Sequence, residues 1–209
     1  MALIEHFPFV GIRDNKKNEE KIESNIDLSI ITSFTERDKA ILVDQLEDNN
    51  IEYINAAENV NNFKKAFKPI YYYDALKDVS TDYVLIIDSY DTIIYGIDDM
   101  PSYLNHYDKD MIYSAWNAHF PTFIDFDFSV PENNELKFLN SGVIFGNTEF
   151  VKQYFHDLSE YIKSQYDSSD NWLKDYEQYW IYKYLSENGT KVNNIGIDYE
   201  ELITKNNPQ

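Results

Sequence analysis

The sequence predicts an α/β protein with a mainly parallel central sheet and helices on both faces. Short apolar segments alternate with segments of helical spacing along most of the chain, as in successive βαβ units. The strongest strand signal, YVLIID at residues 83–88, is a continuous apolar run that ends in an aspartate. The length of 209 residues fits one domain, so we expect a single domain over residues 1–209.

Each element is predicted from its own local pattern. Strands are short apolar runs between polar residues, at residues 27–34, 51–56, 83–88, 111–115, 142–145 and 192–197. Helices are longer segments with apolar residues at helical spacing, at residues 35–49, 62–78, 98–108, 149–164 and 172–186. Thr35 is the expected N-cap of the first helix. Pro69 lies within the second, which leaves open a helix that begins near this proline.

Two segments lack an apolar period. Residues 12–25 are charged and are predicted to form a surface loop. Residues 119–137 mix prolines, acids and aromatic residues, and we interpret them as a long functional loop. Its polar side chains could hold an acceptor substrate, and the candidates are His119, Asp125 and Asp127.

The composition argues against several classes of function. With 18 Lys and Arg against 37 Asp and Glu, the net charge is −19. This balance argues against binding to nucleic acid or anionic membranes, since both need basic side chains. The absence of cysteine excludes disulfides, thiolate zinc sites and cysteine nucleophiles. The sequence has no signal-peptide pattern and no apolar run of membrane-spanning length, so we expect a cytoplasmic protein, in the host cytoplasm if its source is viral.

Two carboxylates directly follow the strongest predicted strand, at Asp88 and Asp91. In parallel α/β sheets, ligands bind outside the carboxyl ends of the strands. Neighbouring carboxylates repel each other unless a cation or a proton lies between them. Hard divalent ions accept such oxygen ligands and bridge to substrate phosphates, so the pair suits Mg²⁺ or Mn²⁺ with a diphosphate. The alternative is that Asp88 caps the following turn and Asp91 is solvated.

Four segments resemble, in order, the glycosyltransferase domain of the procollagen lysyl hydroxylases and related collagen glycosyltransferases. They are DYVLIIDSYDTII at 82–94, KFLNSGVIFG at 137–146, DYEQYWIY at 175–182 and IDYE at 197–200. With the flanking matches they span roughly residues 60–205. The resemblance implies a GT-A-like, Rossmann-type fold that binds nucleotide sugars. It also implies transfer of a sugar from a UDP-sugar to an acceptor hydroxyl, with Mn²⁺ as the usual metal.

The resemblance implies roles for individual residues. Asp88 and Asp91 match the acids that bind the metal, which could also be Mg²⁺. Lys68 matches a basic residue that would contact phosphate, a role that Lys64 or Lys65 could also take. The nucleotide or its sugar would be contacted by Thr32, Ser33, Phe34, Tyr90, Asn140, Ser141 and Gly142.

Further matches concern the reacting sugar. Asp175, Glu177 and Gln178 match the acidic run that faces the donor sugar or the acceptor, and we assign them as catalytic candidates. Carboxylates there could equally be partners of a helix N-terminus. Trp116 replaces an acid of the family and could stack on a sugar face.

The chain departs from the family at its C-terminus. The family continues to a histidine segment that supplies a third metal ligand, whereas this sequence ends at Gln209. Two further hypotheses therefore stay open. One is a catalytically degenerate glycosyltransferase fold that acts as a binding module. The other is an acidic protein that mimics nucleic acid.

Overall fold

The computed structural model describes residues 4–6, 25–118, 124, 126–167, 172–189 and 193–206. Of the predicted loop that spans residues 12–25, only residue 25 is described. His119 and Asp125 also lie outside the described residues.

Most predicted elements are present, with shifted ends. The strands are β1 (Ile4–His6), β2 (Leu28–Ser33), β3 (Ile54–Asn55), β4 (Tyr83–Asp88), β5 (Thr92–Ile94), β6 (Met111–Trp116), β7 (Phe138–Asn147), β8 (Ile195–Asp198) and β9 (Thr204–Asn206). The helices are α1 (Ile41–Asp48), α2 (Lys68–Leu76), α3 (Met100–Tyr107), α4 (Thr148–Gln165) and α5 (Glu177–Asn188). None of the described helices is long and apolar enough to cross a membrane.

The central sheet has the strand order β3-β2-β4-β7-β6-β8. Strands β3, β2 and β4 are parallel, as are β6 and β8, whereas β7 is antiparallel to both of its neighbours. Five of these six strands therefore point the same way, and the prediction of a mainly parallel α/β sheet is confirmed. The reversed strand lies in the middle, so its first residues meet the carboxyl ends of β4 and β6.

Strand β4 shows why the fold has helices on both faces. Its residues alternate between two apolar clusters, because successive side chains of a strand point to opposite faces. Val84 and Ile86 pack in the cluster that contains α2, α4 and α5. Leu85 and Ile87 pack in the cluster that contains α1 and α3. A strand covered on both faces needs a continuous apolar run, which is the pattern seen in the sequence.

A second sheet of three strands, in the order β5-β1-β9, was not predicted. Strand β1 pairs antiparallel with β5 and parallel with β9. Ile4 and Ile94 of this sheet are fully buried in the same cluster as α1 and α3. The segments are only three residues long, too short for a sequence period to mark them.

Several predicted boundaries were wrong. The first helix begins at Ile41 instead of residue 35, and Ala40 occupies its N-cap position in place of Thr35. The backbone N–H of Thr35 donates instead to the Tyr90 hydroxyl, at 2.9 Å. The second helix begins at Lys68 with Pro69 in its first turn, which is the alternative that the sequence left open. The strand predicted at residues 51–56 is reduced to Ile54–Asn55.

The C-terminal half shows two further corrections. The strand predicted at residues 142–145 extends over Phe138–Asn147, because the polar segment before it also joins the sheet. The helix predicted at residues 172–186 is split into a 3-10 turn, Trp172–Asp175, and α5, which begins at Glu177.

Candidate active site

A cavity of about 760 Å³ lies at the carboxyl ends of β2, β4 and β6, beside the start of β7. Its walls come from the loops that follow these strands, from the segment before α2 and from the start of α5. It is lined by Ser33, Phe34, Thr35, Glu36, Lys39, Phe63, Lys65, Lys68, Asp88, Tyr90, Asp91, Trp116, Asn140, Ser141, Gly142, Tyr176, Glu177 and Gln178. This position is where ligands bind in open α/β sheets.

Eleven of the thirteen residues selected from the sequence line this one cavity. The two exceptions are Thr32 and Asp175. The Thr32 side chain is fully buried within the sheet, and its hydroxyl has no hydrogen-bond partner in the described part of the chain. Asp175 is exposed and lies in the 3-10 turn before α5. Each is directly adjacent in sequence to a lining residue, so sequence proximity alone does not bring a side chain into the site.

A buried ion network occupies the centre of the cavity. Lys68 Nζ lies 2.6 Å from Asp88 Oδ1 and 3.4 Å from Glu177 Oε1. The side chains of Lys68, Asp88 and Glu177 are 9%, 26% and 14% exposed. Burial alone would lower the pKa of Lys68, but the charge of Asp88, with a further contribution from Glu177, holds it well above its ordinary value. Lys68 is therefore a fixed ammonium that joins the end of β4 to the start of α5.

The segment Asn140–Ser141–Gly142 enters the cavity through an irregularity in β7. Tyr113 of β6 pairs with Ile144, whereas the next residue, Ser114, pairs with Asn140. Residues 141–143 are therefore extra on β7, and such a bulge redirects side chains away from the regular ladder.

Asn140 braces this bulge from within. Its Oδ1 accepts hydrogen bonds from the backbone N–H of Gly142, at 2.8 Å, and from the Ser114 hydroxyl, at 3.2 Å. Asn140 is 5% exposed, and its Nδ2 group has no acceptor among the described residues. Among the described residues, this Nδ2 group is not one of the buried polar atoms that lack a partner, so it is accessible to solvent or to a ligand in the cavity.

Ser141 connects the bulge to α5. Its backbone N–H donates to Gln178 Oε1, at 3.3 Å. Its hydroxyl lies 3.3 Å from both Glu177 Oε1 and Gln178 Oε1. The first two residues of α5 are therefore bonded both to the bulge and, through Glu177, to Lys68. These contacts hold the polar wall of the cavity in one arrangement.

Tyr90 fixes the opposite wall. Its hydroxyl accepts hydrogen bonds from the backbone N–H groups of Thr35 and Glu36, at 2.9 and 3.2 Å. Phe34 is fixed separately, since its N–H and C=O both bond to the Asn55 amide, at 3.2 Å each. The loop after β2 is thereby held by one side chain of the loop after β4, Tyr90, and by one side chain of β3, Asn55.

Some cavity residues were not predicted from the sequence. Phe63 and Tyr176 lie in short segments outside the helices and strands, where no period or motif marks a side chain as part of a site, whereas Lys65 was named only as an alternative to Lys68. The cavity has an aromatic lining, which is formed by Phe34, Phe63, Tyr90, Trp116 and Tyr176. Aromatic rings of this kind suit the stacking of a base or the apolar face of a sugar.

The charge of the cavity is close to balance. Three lysines and four carboxylates are among its described lining residues, which leaves a net charge of −1. A diphosphate would therefore meet no excess of positive charge, and a bound divalent cation would reverse the sign. Electrostatics thus favour the joint binding of a cation and an anion over the binding of an anion alone.

The residues present fit a divalent cation in part. Asp88 and Asp91 line the same cavity and offer carboxylate oxygens, the donors that Mg²⁺ and Mn²⁺ prefer. The described residues contain no group of three or more His, Cys, Asp or Glu side chains arranged to hold a metal. These cations commonly bind through one or two carboxylates, with substrate phosphates and water completing the coordination, so the pair is sufficient for that mode.

No protein-family model and no curated protein matches this sequence. The solved structures that are similar include the following two. A glycosyltransferase involved in the glycosylation of the major capsid of PBCV-1 matches with a TM-score of 0.40 and 15% identity, over 81% of this chain and 80% of that one. A 4-diphosphocytidyl-2C-methyl-D-erythritolsynthase from Anaerococcus prevotii DSM 20548 matches with a TM-score of 0.40 and 14% identity, over 81% and 68%. At this level of similarity, function has to be argued from the site itself.

Proposed function

We propose that this protein is a glycosyltransferase of the GT-A type, which moves a sugar from a UDP-sugar to an acceptor hydroxyl with the help of Mn²⁺ or Mg²⁺. The observation that carries the proposal is the gathering of separate motif residues around one cavity. Asp88, Asp91, Asn140 and Glu177 come from three distant segments that resemble procollagen lysyl hydroxylase glycosyltransferase domains, and all of them line it.

The order of the strands supports an order of subsites. Ser33 and Phe34 lie at the end of β2, the acidic pair lies at the end of β4, the Asn140 bulge lies in the neighbouring strand β7 and Trp116 ends β6. Neighbouring strands are about 4.8 Å apart, so three steps separate the two ends by about 14 Å. In this arrangement the nucleotide lies near β2, the diphosphate near β4, the donor sugar near β7 and the acceptor near β6.

The chemistry required is stabilisation of a departing diphosphate. The bond between the anomeric carbon and the diphosphate oxygen breaks and releases UDP, while the acceptor oxygen forms the new bond and passes its proton to water or to the departing UDP. Asp88 and Asp91 would hold a divalent cation, which would neutralise negative charge on the leaving diphosphate. Lys68 contributes a second fixed positive charge beside it. Of the three residues assigned from the sequence as catalytic candidates, we retain Glu177 and Gln178 because they line the cavity. Asp175 does not line it.

Donor-sugar recognition is assigned to the bulge. The Nδ2 group of Asn140 donates to a sugar hydroxyl, and the Ser141 hydroxyl, held between Glu177 and Gln178, orients a second one. Hydrogen bonds to buried polar groups discriminate strongly between sugars, since a mismatched hydroxyl leaves a buried partner unpaired.

Calorimetry with UDP, in the presence and absence of MnCl₂, tests this function directly. UDP should bind with Mn²⁺ and bind much more weakly without it, and Asp88→Asn should abolish the difference. Asp74→Asn is the matched control, because Asp74 is an exposed aspartate of α2 paired with Lys77, away from the cavity. A protein that binds no UDP with either metal, or an Asp88→Asn variant that binds UDP and Mn²⁺ as before, would contradict the proposal.

A binding module without catalysis is the second candidate. It is favoured by the engagement of Asp88 with Lys68 and by the lack of a third metal-type ligand near the pair among the described residues. Hydrolysis of a UDP-sugar separates the two functions, because many transferases slowly transfer the sugar to water. Hydrolysis above background that is lost in Asp91→Asn supports the enzyme, and UDP binding without any hydrolysis or transfer supports the module.

A further inference from the structure

We propose that Lys68 competes with the divalent cation for Asp88, so that the cation binds this site well only together with a nucleoside diphosphate. This inference rests on the proposed function because it concerns the same acidic pair. It assigns Lys68 as a positioning residue that couples the binding of two ligands.

The contact between Lys68 and Asp88 is the first observation. Lys68 Nζ lies 2.6 Å from Asp88 Oδ1, which is a short charge-assisted hydrogen bond. The lysine is the first residue of α2 and is almost fully buried, so its ammonium cannot move freely into solvent. A cation at Asp88 must either displace this ammonium or bind beside a like charge. Both effects weaken the binding of a cation to the nucleotide-free site.

The second observation is that Lys68 already has another partner. Its Nζ lies 3.4 Å from Glu177 Oε1, at the start of α5. A small shift of the ammonium from Asp88 towards Glu177 keeps the lysine paired while it is buried. In this proposal, Lys68 pairs mainly with Asp88 when no cation is bound and with Glu177 when a cation is bound.

A diphosphate favours the shifted arrangement. It brings further negative charge into a cavity whose described lining carries −1 and which a bound cation would make positive. The released lysine then has both Glu177 and a phosphate oxygen to pair with. Cation and nucleotide thus bind with positive coupling, and by linkage each raises the affinity of the other by the same factor.

The variant Lys68→Met tests the competition, because methionine keeps much of the length of the side chain and removes its charge. Titration with MnCl₂ alone, followed by electron paramagnetic resonance of free Mn²⁺, should show about a tenfold tighter site, within the range of typical coupling factors. Titration with UDP at saturating Mn²⁺ should show weaker binding than in the wild type. Opposite changes in the two titrations distinguish lost competition from general damage, which would weaken both.

Two variants serve as controls. Lys65 lines the same cavity and carries the same charge, but its Nζ lies over the Tyr176 ring, 5.8 Å from the centroid. Lys65→Met should therefore change the affinity for Mn²⁺ alone by no more than about twofold, the effect of a more distant, screened charge. Lys68→Arg keeps the competing cation and should bind Mn²⁺ as weakly as the wild type.

The outcomes separate this inference from the proposed function. If the wild type binds Mn²⁺ and UDP jointly but Lys68→Met binds Mn²⁺ alone no more tightly, the competition is refuted and the function stands. If the wild type binds neither ligand under any condition, the function fails as well. Should Lys68→Met not fold, as judged by circular dichroism, Lys68→Gln provides the same loss of charge with a polar side chain, and the same criteria apply.

Discussion

Replacing Asp198 with asparagine should loosen the loop that joins the central sheet to the three-stranded sheet. Asp198 ends β8 and is 1% exposed. Its Oδ1 accepts hydrogen bonds from the Tyr107 hydroxyl, at 2.8 Å, and the Leu202 N–H, at 2.9 Å. Its Oδ2 accepts from the N–H groups of Ile203 and Thr204, at 2.8 and 2.6 Å. One carboxylate thus closes the turn that leads into β9.

The magnitude follows from the two donors at Oδ2. An asparagine keeps one accepting oxygen but presents an NH₂ group to the N–H groups of Ile203 and Thr204. Each buried donor that loses its acceptor costs about 1–3 kcal/mol, and removal of the buried charge offsets part of the cost of the two donors. We therefore expect the free energy of unfolding to fall by about 2–4 kcal/mol. For a chain of this size, that corresponds to a fall in Tm of roughly 5–15 °C.

Differential scanning calorimetry measures this fall, with Glu200→Gln as the matched control. Glu200 is an exposed carboxylate two residues further on, which contacts His106 at 3.1 Å. Its substitution removes the same charge and should change the free energy of unfolding by no more than about 0.5 kcal/mol. If Asp198→Asn melts within a degree or two of the wild type, the carboxylate is not what holds the loop.

The remaining predictions concern pH, the loop contacts and the acceptor. Burial raises the pKa of Asp198 and its hydrogen bonds offset only part of this, so the folded state holds the proton more tightly than the unfolded state. The wild type should therefore gain stability over Asp198→Asn as the pH falls from the folded pKa towards the ordinary carboxyl value. Urea unfolding at several pH values measures this difference in the free energy of unfolding. Tyr90→Phe should weaken UDP binding in calorimetry and lower the free energy of unfolding by less than about 1 kcal/mol, because water replaces its hydroxyl at two exposed N–H groups. Gly146→Ala should destabilise the fold by about 1–3 kcal/mol in urea, since a Cβ there would lie 2.8 Å from the Asp110 carbonyl oxygen, and equal stability would contradict this packing. Trp116→Ala should slow transfer to an added sugar acceptor about tenfold more than it slows hydrolysis of the donor, as expected for a stacking contact made by the acceptor alone.

The sequence predicted the parts of the fold that depend on local patterns. Strand β4 has the predicted bounds because burial on both faces requires an unbroken apolar run. The cavity residues at strand ends could be selected because ligands bind at the carboxyl edge of such sheets. The start of α1 could not be predicted, because the Thr35 N–H is engaged by Tyr90, a residue 55 positions away. The three-stranded sheet was missed for a related reason, since its segments are stabilised by each other and not by their own sequences.

The resemblance to known glycosyltransferase motifs had the same limit. It selected Asp88, Lys68 and Glu177 separately, but pairing between residues 20 and 109 positions apart is a property of the folded chain. It also matched Asp198, whose four hydrogen bonds to backbone and Tyr107 make it a structural clamp of the C-terminal loop. A motif therefore identifies which residues matter more reliably than it identifies what each of them does.

The position of Lys68 is hard to explain by stability alone. Pro69 fixes the start of α2, which puts the lysine at the helix N-terminus, where the helix dipole disfavours positive charge. Burial disfavours the charge further, and the attraction of Asp88 and Glu177 only compensates for these terms. A buried apolar side chain would avoid all of these costs, so the ion network is better explained by a ligand that reorganises it. The proposed divalent cation and diphosphate would meet this requirement, since the cation would take the place of the ammonium at Asp88 and the diphosphate would give the ammonium a new partner.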